Sequence, residues 1–135
     1  MTQRNIHGIW TMYFENRILH TKVTGSFNRE GTQAFFDEMQ SLLFSSKKGD
    51  AVPWAMLNDA RDWELAALDA WDAGNEGINW MNDHNCVLFS VVYSVKVHTA
   101  ITKKGIDNQD ILQYHYDYNE AYQACIDALA KAQCQ

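Results

Sequence analysis

Residues 54–63 read Trp-Ala-Met-Leu-Asn-Asp-Ala-Arg-Asp-Trp, and this stretch decides the fold. A short apolar block that follows a proline, Pro53, and stops at polar residues is typical of a strand covered on both faces. Beyond it, apolar residues recur at roughly helical spacing at Leu65, Leu68, Trp71, Ile78 and Met81. The stretch therefore predicts a buried strand, a charged turn at Asp59–Trp63 and a second helix. In α/β proteins, ligands bind beside the loops that follow the carboxyl ends of the strands, so this arrangement indicates where a binding site would lie.

The composition predicts one folded domain over residues 1–135. Hydrophobic residues make up 47% and charged residues 21%, which is close to the average of globular proteins. Lys and Arg number 11 against 17 Asp and Glu, for a net charge of -6. Because binding to nucleic acid or an anionic membrane favours the opposite balance, neither partner is expected.

The chain shows no signal peptide and no apolar run near the ~20 residues that a membrane helix requires. We therefore expect a cytoplasmic protein that does not insert into a membrane. The three cysteines, Cys86, Cys125 and Cys134, are odd in number and have no paired spacing. That usage fits a reducing compartment better than a disulfide framework.

The remaining elements follow from periodicity and from turn residues. Two β-rich runs, 8–14 and 17–25, predict a hairpin linked by Glu15-Asn16. Further strands are predicted over 86–93 and 111–117. A first helix over 29–44 would be capped by Asn28, a short third helix by Ser94 and a closing helix by Asn119, and Gly105 would end the third. Gly74 and Gly77 weaken the second helix, which is expected to bend or break there.

The strand over 86–93 is predicted to be central because it is apolar throughout. Alternation should place Val87, Phe89 and Val91 on one face. Leu88, Ser90 and Val92 should then lie on the other face. The helices are expected to bury the more apolar set.

The order β-β-α-β-α-β-α-β-α calls for an α/β sheet with parallel crossovers after an initial hairpin. Three segments, Val23-Thr24-Gly25-Ser26, Leu57-Asn58-Asp59-Ala60-Arg61-Asp62-Trp63 and Tyr116-Asp117-Tyr118-Asn119-Glu120-Ala121, resemble the STAS superfamily. More narrowly, they resemble its SpoIIAA-like branch of mostly uncharacterised bacterial proteins. The resemblance implies a mixed five-stranded sheet, the first strand antiparallel to the rest, with about four helices largely on one side.

STAS proteins that antagonise anti-sigma factors are switched by phosphorylation of a serine at the start of the helix after the third strand. This chain departs from that pattern. It has Ala60-Arg61-Asp62-Trp63 there, with no Ser or Thr between Pro53 and Ser90. A phospho-switch at this position is therefore not expected. Asp62 would either cap the second helix or supply a permanent negative charge near its N-terminus.

Six residues at the predicted strand-end rim form the candidate binding site: Ser26, Asp59, Arg61, Asp62, Trp63 and Ser94. Arg61 offers a fork of donors suited to a carboxylate or phosphate, or it pairs with a neighbouring carboxylate at the surface. Trp63 either supplies an aromatic contact to a ligand or covers the hydrophobic core. If the rim were only structural, Arg61→Ala would change neither stability nor binding.

No catalytic, metal or cofactor motif is present in the sequence. The five histidines and the cysteines lack ligand spacing, so no metal is expected. Walker, Rossmann and Gly-x-Ser-x-Gly patterns are absent, and no cofactor is predicted. The acid pairs Asp59/Asp62 and Asp69/Asp72 invite general acid–base chemistry, but the second has the i,i+3 spacing of a solvated helix face. We therefore favour a non-enzymatic protein.

Two functional hypotheses remain open. One is a non-catalytic binding or regulatory module of the SpoIIAA-like type with a protein partner. The other is a protein that binds a small anionic or apolar ligand, or an enzyme, using the same rim. A deep closed pocket beside Trp63 would favour the ligand, whereas a flat exposed apolar patch would favour a protein partner. Both hypotheses are compatible with a homodimer.

Overall fold

The computed structural model describes residues 6–133, which form one five-stranded sheet and four helices. In chain order these are β1 Ile9–Glu15, β2 Ile18–Phe27, α1 Arg29–Ser45, β3 Trp54–Ala66, α2 Ala70–Asp83, β4 Cys86–Val92, α3 Lys96–Gly105, β5 Leu112–His115 and α4 Tyr118–Gln133. The strand order is β1-β2-β3-β4-β5, with β1 antiparallel to β2 and all other pairs parallel. The predicted mixed sheet and element order are confirmed.

The β1–β2 hairpin turns through two residues, Asn16 and Arg17, both with positive φ of 54° and 65°. Two left-handed residues are what a tight hairpin requires to match the twist of its strands. The Arg17 guanidinium then donates to four backbone carbonyls in the loop before β3, those of Lys47, Gly49, Val52 and Pro53. One side chain thus ties the hairpin to the amino end of β3.

The sheet is covered on both faces, with three helices on one and one on the other. The face covered by α1, α2 and α3 carries the larger core, which includes Leu19, Val23, Phe35, Phe36, Met39, Met56, Ile78, Phe89, Val91 and Ile106. On the opposite face, α4 buries a smaller core of Ile18, Ala55, Leu57, Val92, Ala121, Cys125 and Leu129. None of the helices within residues 6–133 is long and apolar enough to cross a membrane.

The predicted charged turn is wrong, because β3 continues as a strand to Ala66. Its polar half pairs with β2, with Lys22 opposite Asp59 and Phe27 opposite Ala66. Backbone pairing with a long neighbour outweighs the local turn preference of Asn and Asp. Leu65 and Leu68 are therefore not helical, and they are 50% and 91% exposed.

Asp62 does not cap α2, which begins at Ala70 after Asp69. Two other predicted caps are also wrong. Ser94 precedes the cap position of α3, and its hydroxyl donates instead to the carbonyl of Arg61 at 2.9 Å. At α4, Asp117 rather than Asn119 accepts the free backbone N–H groups, at 2.8 and 3.2 Å.

Asn28 caps α1 as predicted, its side chain accepting from the Gly31 N–H at 2.9 Å. The predicted end of α3 at Gly105 is also confirmed.

Register shifts between β2 and β3 control which way the end of β3 faces. Lys22 pairs with Asp59 and Thr24 pairs with Asp62, so β3 contains one residue more than β2 over this stretch. A second extra residue in β3 lies between the pairs Gly25–Trp63 and Phe27–Ala66. An extra residue reverses the alternation of side chains, as in a β-bulge. Trp63 and Ala66 consequently share the α1–α3 face with Ala60.

A similar irregularity affects β4, where Trp54 pairs with Cys86 but Ala55 pairs with Leu88. Val87 is the extra residue. It packs with Leu88 on the α4 side and not with Phe89, which corrects its predicted face. The strand β4 is interior, between β3 and β5, and β3 is the middle of the sheet.

The helix α2 is continuous through Gly74 and Gly77, so the expected bend is wrong. The glycines serve packing. A Cβ at Gly77 would lie 2.4 Å from the Phe36 ring, so its absence allows α1 and α2 to approach closely.

We predict that Gly77→Ala destabilises the protein while Gly74→Ala does not. At Gly77 the new methyl group would overlap Phe36, and overpacking of this kind costs ~1–3 kcal/mol. At Gly74 it would meet Ile106 at 3.4 Å, an ordinary contact, and Ala is favoured over Gly in a helix by ~1 kcal/mol. Urea unfolding of the two variants measures the difference. Equal free energies of unfolding would contradict the close packing of the helices.

Candidate functional site

The six predicted site residues do not form a single cluster. Asp59 and Arg61 lie toward α4, with the Arg61 guanidinium 5.5 Å from the centre of the Tyr118 ring. Trp63 lies on the opposite face of the sheet. Ser26 is exposed on β2, and within residues 6–133 no hydrogen bond joins it to the other five.

Asp59 and Arg61 form a forked ion pair. Arg61 Nε donates to Oδ1 of Asp59 at 2.9 Å, and Nη2 donates to Oδ2 at 2.8 Å. Hydrogen bonding from Arg61 lowers the pKa of Asp59, despite the opposing effect of burial, and the same contact raises the pKa of Arg61. Since the bidentate fork is used within the chain, Arg61 is poorly placed to capture an outside anion.

Asp62 and Ser94 have structural partners of their own. Asp62 lies 3.7 Å from the Lys22 ammonium in an ion pair with both side chains more than half exposed, at 62% and 55%. The bond from Ser94 to the Arg61 carbonyl joins the end of β4 to β3. These contacts stabilise the rim, and among the described residues neither Asp62 nor Ser94 lines the pocket that contains Trp63.

Trp63 is 9% exposed and packs against three rings. The centroids of Tyr93, His98 and Trp71 lie 5.6, 5.0 and 6.3 Å from its own. It therefore covers the core, as one of the two predicted alternatives had it. It also forms part of the wall of a cavity.

The cavity lies between the sheet and helices α1, α2 and α3, and its volume is about 120 Å³. Residues from both layers line it, and most are apolar. The aromatic lining residues are Phe27, Phe35, Phe36, Trp63, Trp71, Phe89 and Tyr93, and the small ones include Ala60, Ala66, Ala70 and Gly74. A mostly apolar pocket with aromatic side chains in its wall is typical of a small-ligand site.

A few polar groups interrupt the apolar wall. Tyr93 and Thr102 are joined by a hydrogen bond of 2.5 Å between their hydroxyl groups, and Thr102 donates to the His98 carbonyl at 2.9 Å. Burial raises the pKa of the Tyr93 phenol well above its ordinary value. The phenol therefore stays protonated near neutral pH and acts as a hydrogen-bonding group, not as a base.

Asn58 is the polar residue that β3 contributes to the lining of the cavity. It is 9% exposed, and its Oδ1 accepts a hydrogen bond from Thr21 Oγ1 at 2.9 Å. Neither Asn58 nor Thr21 was predicted as a site residue from the sequence, and neither were Tyr93 and Thr102. The available signal was an asparagine directly after Leu57 in an apolar strand, where an amide must find a partner when buried.

No catalytic constellation emerges from the predicted acids. Asp59 is committed to Arg61, while Asp69 and Asp72 are exposed at the start of α2. Within residues 6–133, no three His, Cys, Asp or Glu side chains are grouped so as to hold a metal ion. Cys86 and Cys125 are buried thiols whose pKa values are raised by burial, and Cys134 lies outside the described residues. The expected absence of metal remains a prediction.

Known structures with the same fold include anti-sigma factor antagonists. One, from Mycobacterium paratuberculosis, superposes with a TM-score of 0.62 at 11% identity over 90% of this chain and 96% of that one. SpoIIAA in its unphosphorylated form gives 0.60 at 7% identity over 86% and 96%. An uncharacterised DUF3478-family protein with a SpoIIAA-like fold, from Shewanella loihica, gives 0.61 at 15% identity over 88% and 95%.

These similarities confirm the predicted resemblance to SpoIIAA-like proteins at the level of the fold. No family model matches the sequence. No curated protein matches it either.

We predict that Arg61→Ala lowers the free energy of unfolding at pH 7 by ~1 kcal/mol. The substitution would leave Asp59, which is 8% exposed, without its forked partner. Because Arg61 itself is 48% exposed, we expect a contribution between that of an exposed and that of a buried ion pair. This expectation replaces the earlier one, that a structural Arg61 would not affect stability.

The loss should depend on pH. Because the pKa of Asp59 is lowered in the folded protein, the pair's contribution is complete above the ordinary Asp value of 3.8. It disappears as pH falls through the lowered pKa. Denaturant unfolding between pH 3 and 7 measures this convergence. Asp62→Asn, which breaks an exposed pair, is the control and should change little. Equal stability of wild type and Arg61→Ala at pH 7 would contradict the interpretation.

Proposed function

We propose that the protein is a non-catalytic binding module that holds a small apolar molecule in the cavity beside Trp63. The cavity itself carries the proposal. An engineered apolar cavity of roughly 150 Å³ in another protein stays dry and binds benzene, and the cavity here is of similar size, at about 120 Å³. A molecule of that size would contact aromatic side chains from both the sheet and the helices.

Unfilled contacts in the wall support the proposal. Apolar side chains that border a space without partner atoms lack the dispersion contacts of a packed core. A bound apolar molecule would supply such contacts and would remove its own surface from water.

The chemistry of the wall favours binding over catalysis. The polar groups of the lining residues are neutral: the amide of Asn58, the hydroxyls of Thr32, Tyr93 and Thr102, and the indoles of Trp63 and Trp71. The charged pair of Asp59 and Arg61 lies on the other face of the sheet. We propose a cytoplasmic location as well, on the basis of the acidic composition and the free thiols of Cys86 and Cys125.

Toluene titration tests the proposal. We expect wild-type protein to bind toluene, with amide chemical-shift changes in two-dimensional NMR centred on Trp63, Tyr93 and Phe89. Ala60→Leu places three further carbons in the cavity wall and should weaken binding about tenfold or more.

The matched control is Arg61→Ala, on the other face of the sheet, which should bind toluene as wild type does. Thermal midpoints establish that both variants fold. Absence of toluene binding to the wild type, or equal binding by Ala60→Leu, would overturn the proposal.

We propose a protein partner at the rim as a second function. Four exposed apolar residues support it: Leu65 near the end of β3, Leu68 just after β3, and Val95 and Val97 after β4. Leu65, Leu68, Val95 and Val97 are 50%, 91%, 44% and 58% exposed. Exposed apolar residues at one end of a sheet are typical of an interaction surface. The anti-sigma factor antagonists that share the fold support this proposal as an analogy.

Leu68→Asp should abolish capture of a partner from native lysate, because a charge would be buried in the interface. Phe44→Asp is the matched control, since Phe44 is 65% exposed at the end of α1. It should capture the same proteins as wild type. Sedimentation of the purified protein tests whether the partner is a second copy of the chain. Identical capture by wild type and Leu68→Asp, with no change in sedimentation, would exclude a partner at the rim.

A further inference from the structure

Asn58 is a buried amide in an apolar wall. It lies in β3 between Leu57 and Asp59, faces the cavity and is 9% exposed. Burying an amide is unfavourable unless its donors and acceptors find partners. The partners of Asn58 therefore indicate what the cavity is built to receive.

Thr21 fixes the orientation of the amide. Its side chain is the register neighbour of Asn58 across β2 and β3, and its hydroxyl donates to Oδ1 at 2.9 Å. Thr21 is itself 5% exposed. With Oδ1 held against Thr21, Nδ2 is turned away, and no residue within 6–133 accepts a hydrogen bond from it. Two N–H donors are left unused.

The hydroxyl groups of the cavity wall already donate their hydrogens to partners within the chain. Thr32 donates to the Asn28 carbonyl at 2.9 Å, and Thr102 donates to that of His98. Since the Thr102 hydrogen is committed, Tyr93 is the donor in the bond of 2.5 Å between these two residues. The amide of Asn58 thus differs from the hydroxyls in having free donors.

We propose that the ligand of this cavity is a compact apolar molecule that carries one neutral carbonyl-type acceptor, which receives a hydrogen bond from Nδ2 of Asn58. The proposal rests on the function proposed above and adds the chemical class of the ligand. Asn58 is the specificity-determining residue, and Thr21 is the positioning residue that presents its donors.

The acceptor is neutral because none of the described residues that line the cavity carries a positive charge. Arg61 and Lys22 are paired with Asp59 and Asp62, and none of the four lines the cavity. A carboxylate or phosphate would enter an apolar site without a counter-charge, which is strongly unfavourable. A ketone, an ester or an amide satisfies the donors without that penalty.

The test uses two probes of the same shape, methylenecyclohexane and cyclohexanone. They differ only in that a terminal CH₂ group is replaced by an oxygen acceptor. Dissociation constants for both are measured by NMR titration with wild type and Asn58→Leu, whose side chain has a similar size but no donor.

We expect the ratio of the two dissociation constants to shift about tenfold toward the hydrocarbon in Asn58→Leu. Thr21→Val should shift the ratio in the same direction, because the amide is then no longer oriented. It also serves as the second variant if Asn58→Leu does not fold. Trp63→Phe removes the indole N–H of a lining residue and should leave the ratio within about twofold of wild type.

The outcomes separate the two proposals. If toluene and both probes bind but the ratio is unchanged in Asn58→Leu and Thr21→Val, the ligand class is wrong and the binding function stands. If the ratio collapses only in Trp63→Phe, the indole supplies the donor and the role of Asn58 is overturned. If neither toluene nor either probe binds wild type, the proposed function fails first and the ligand class fails with it.

Discussion

The cavity depends on a mismatch in length between two paired strands. Over the stretch where they run together, β3 contains an extra residue in two places relative to β2. Without the first, strict alternation would turn Trp63 toward α4, on the same side as Arg61. Instead Ala60, Trp63 and Ala66 all face helices α1–α3, with one small residue on each side of a large one. The shape of the site is therefore a matter of backbone register as much as of side-chain type.

Much of the architecture could be predicted from periodicity, because strands and helices bury one face in a repeating way. The helix α1 with its Asn28 cap and the interior strand β4 are examples. The end of β3 could not be predicted. Asp59 and Asp62 have the local preferences of a turn, and only pairing with β2, which is distant in sequence, keeps them extended. Val87 was misplaced for a related reason, since an irregular register leaves no trace in composition.

The candidate site was predicted in part. Asp59 and Ser94 both contact Arg61, because Asp59 and Arg61 lie on β3 and Ser94 follows the adjacent strand β4. Trp63 separated from them because of the register shift. An asparagine in an apolar strand signals that Asn58 needs a partner, but its contact with Thr21 spans 37 residues of sequence and no spacing rule predicts it. As a result, the predicted site is split between the two faces of the sheet. The charged pair lies on one face and the apolar cavity on the other.

The side chain of Arg17 holds the loop before β3 in place by hydrogen bonds, where no helix or strand does so. Its guanidinium binds carbonyls spread from Lys47 to Pro53, so the path of that loop is set by one set of donors. A loop held in this way has little freedom to gain or lose residues, because any change in its length would displace several acceptors together. The carboxyl ends of the strands carry no comparable clamp among residues 6–133. Insertions that diversify this fold should therefore accumulate at that end, where the molecule can change its loops without disturbing its framework.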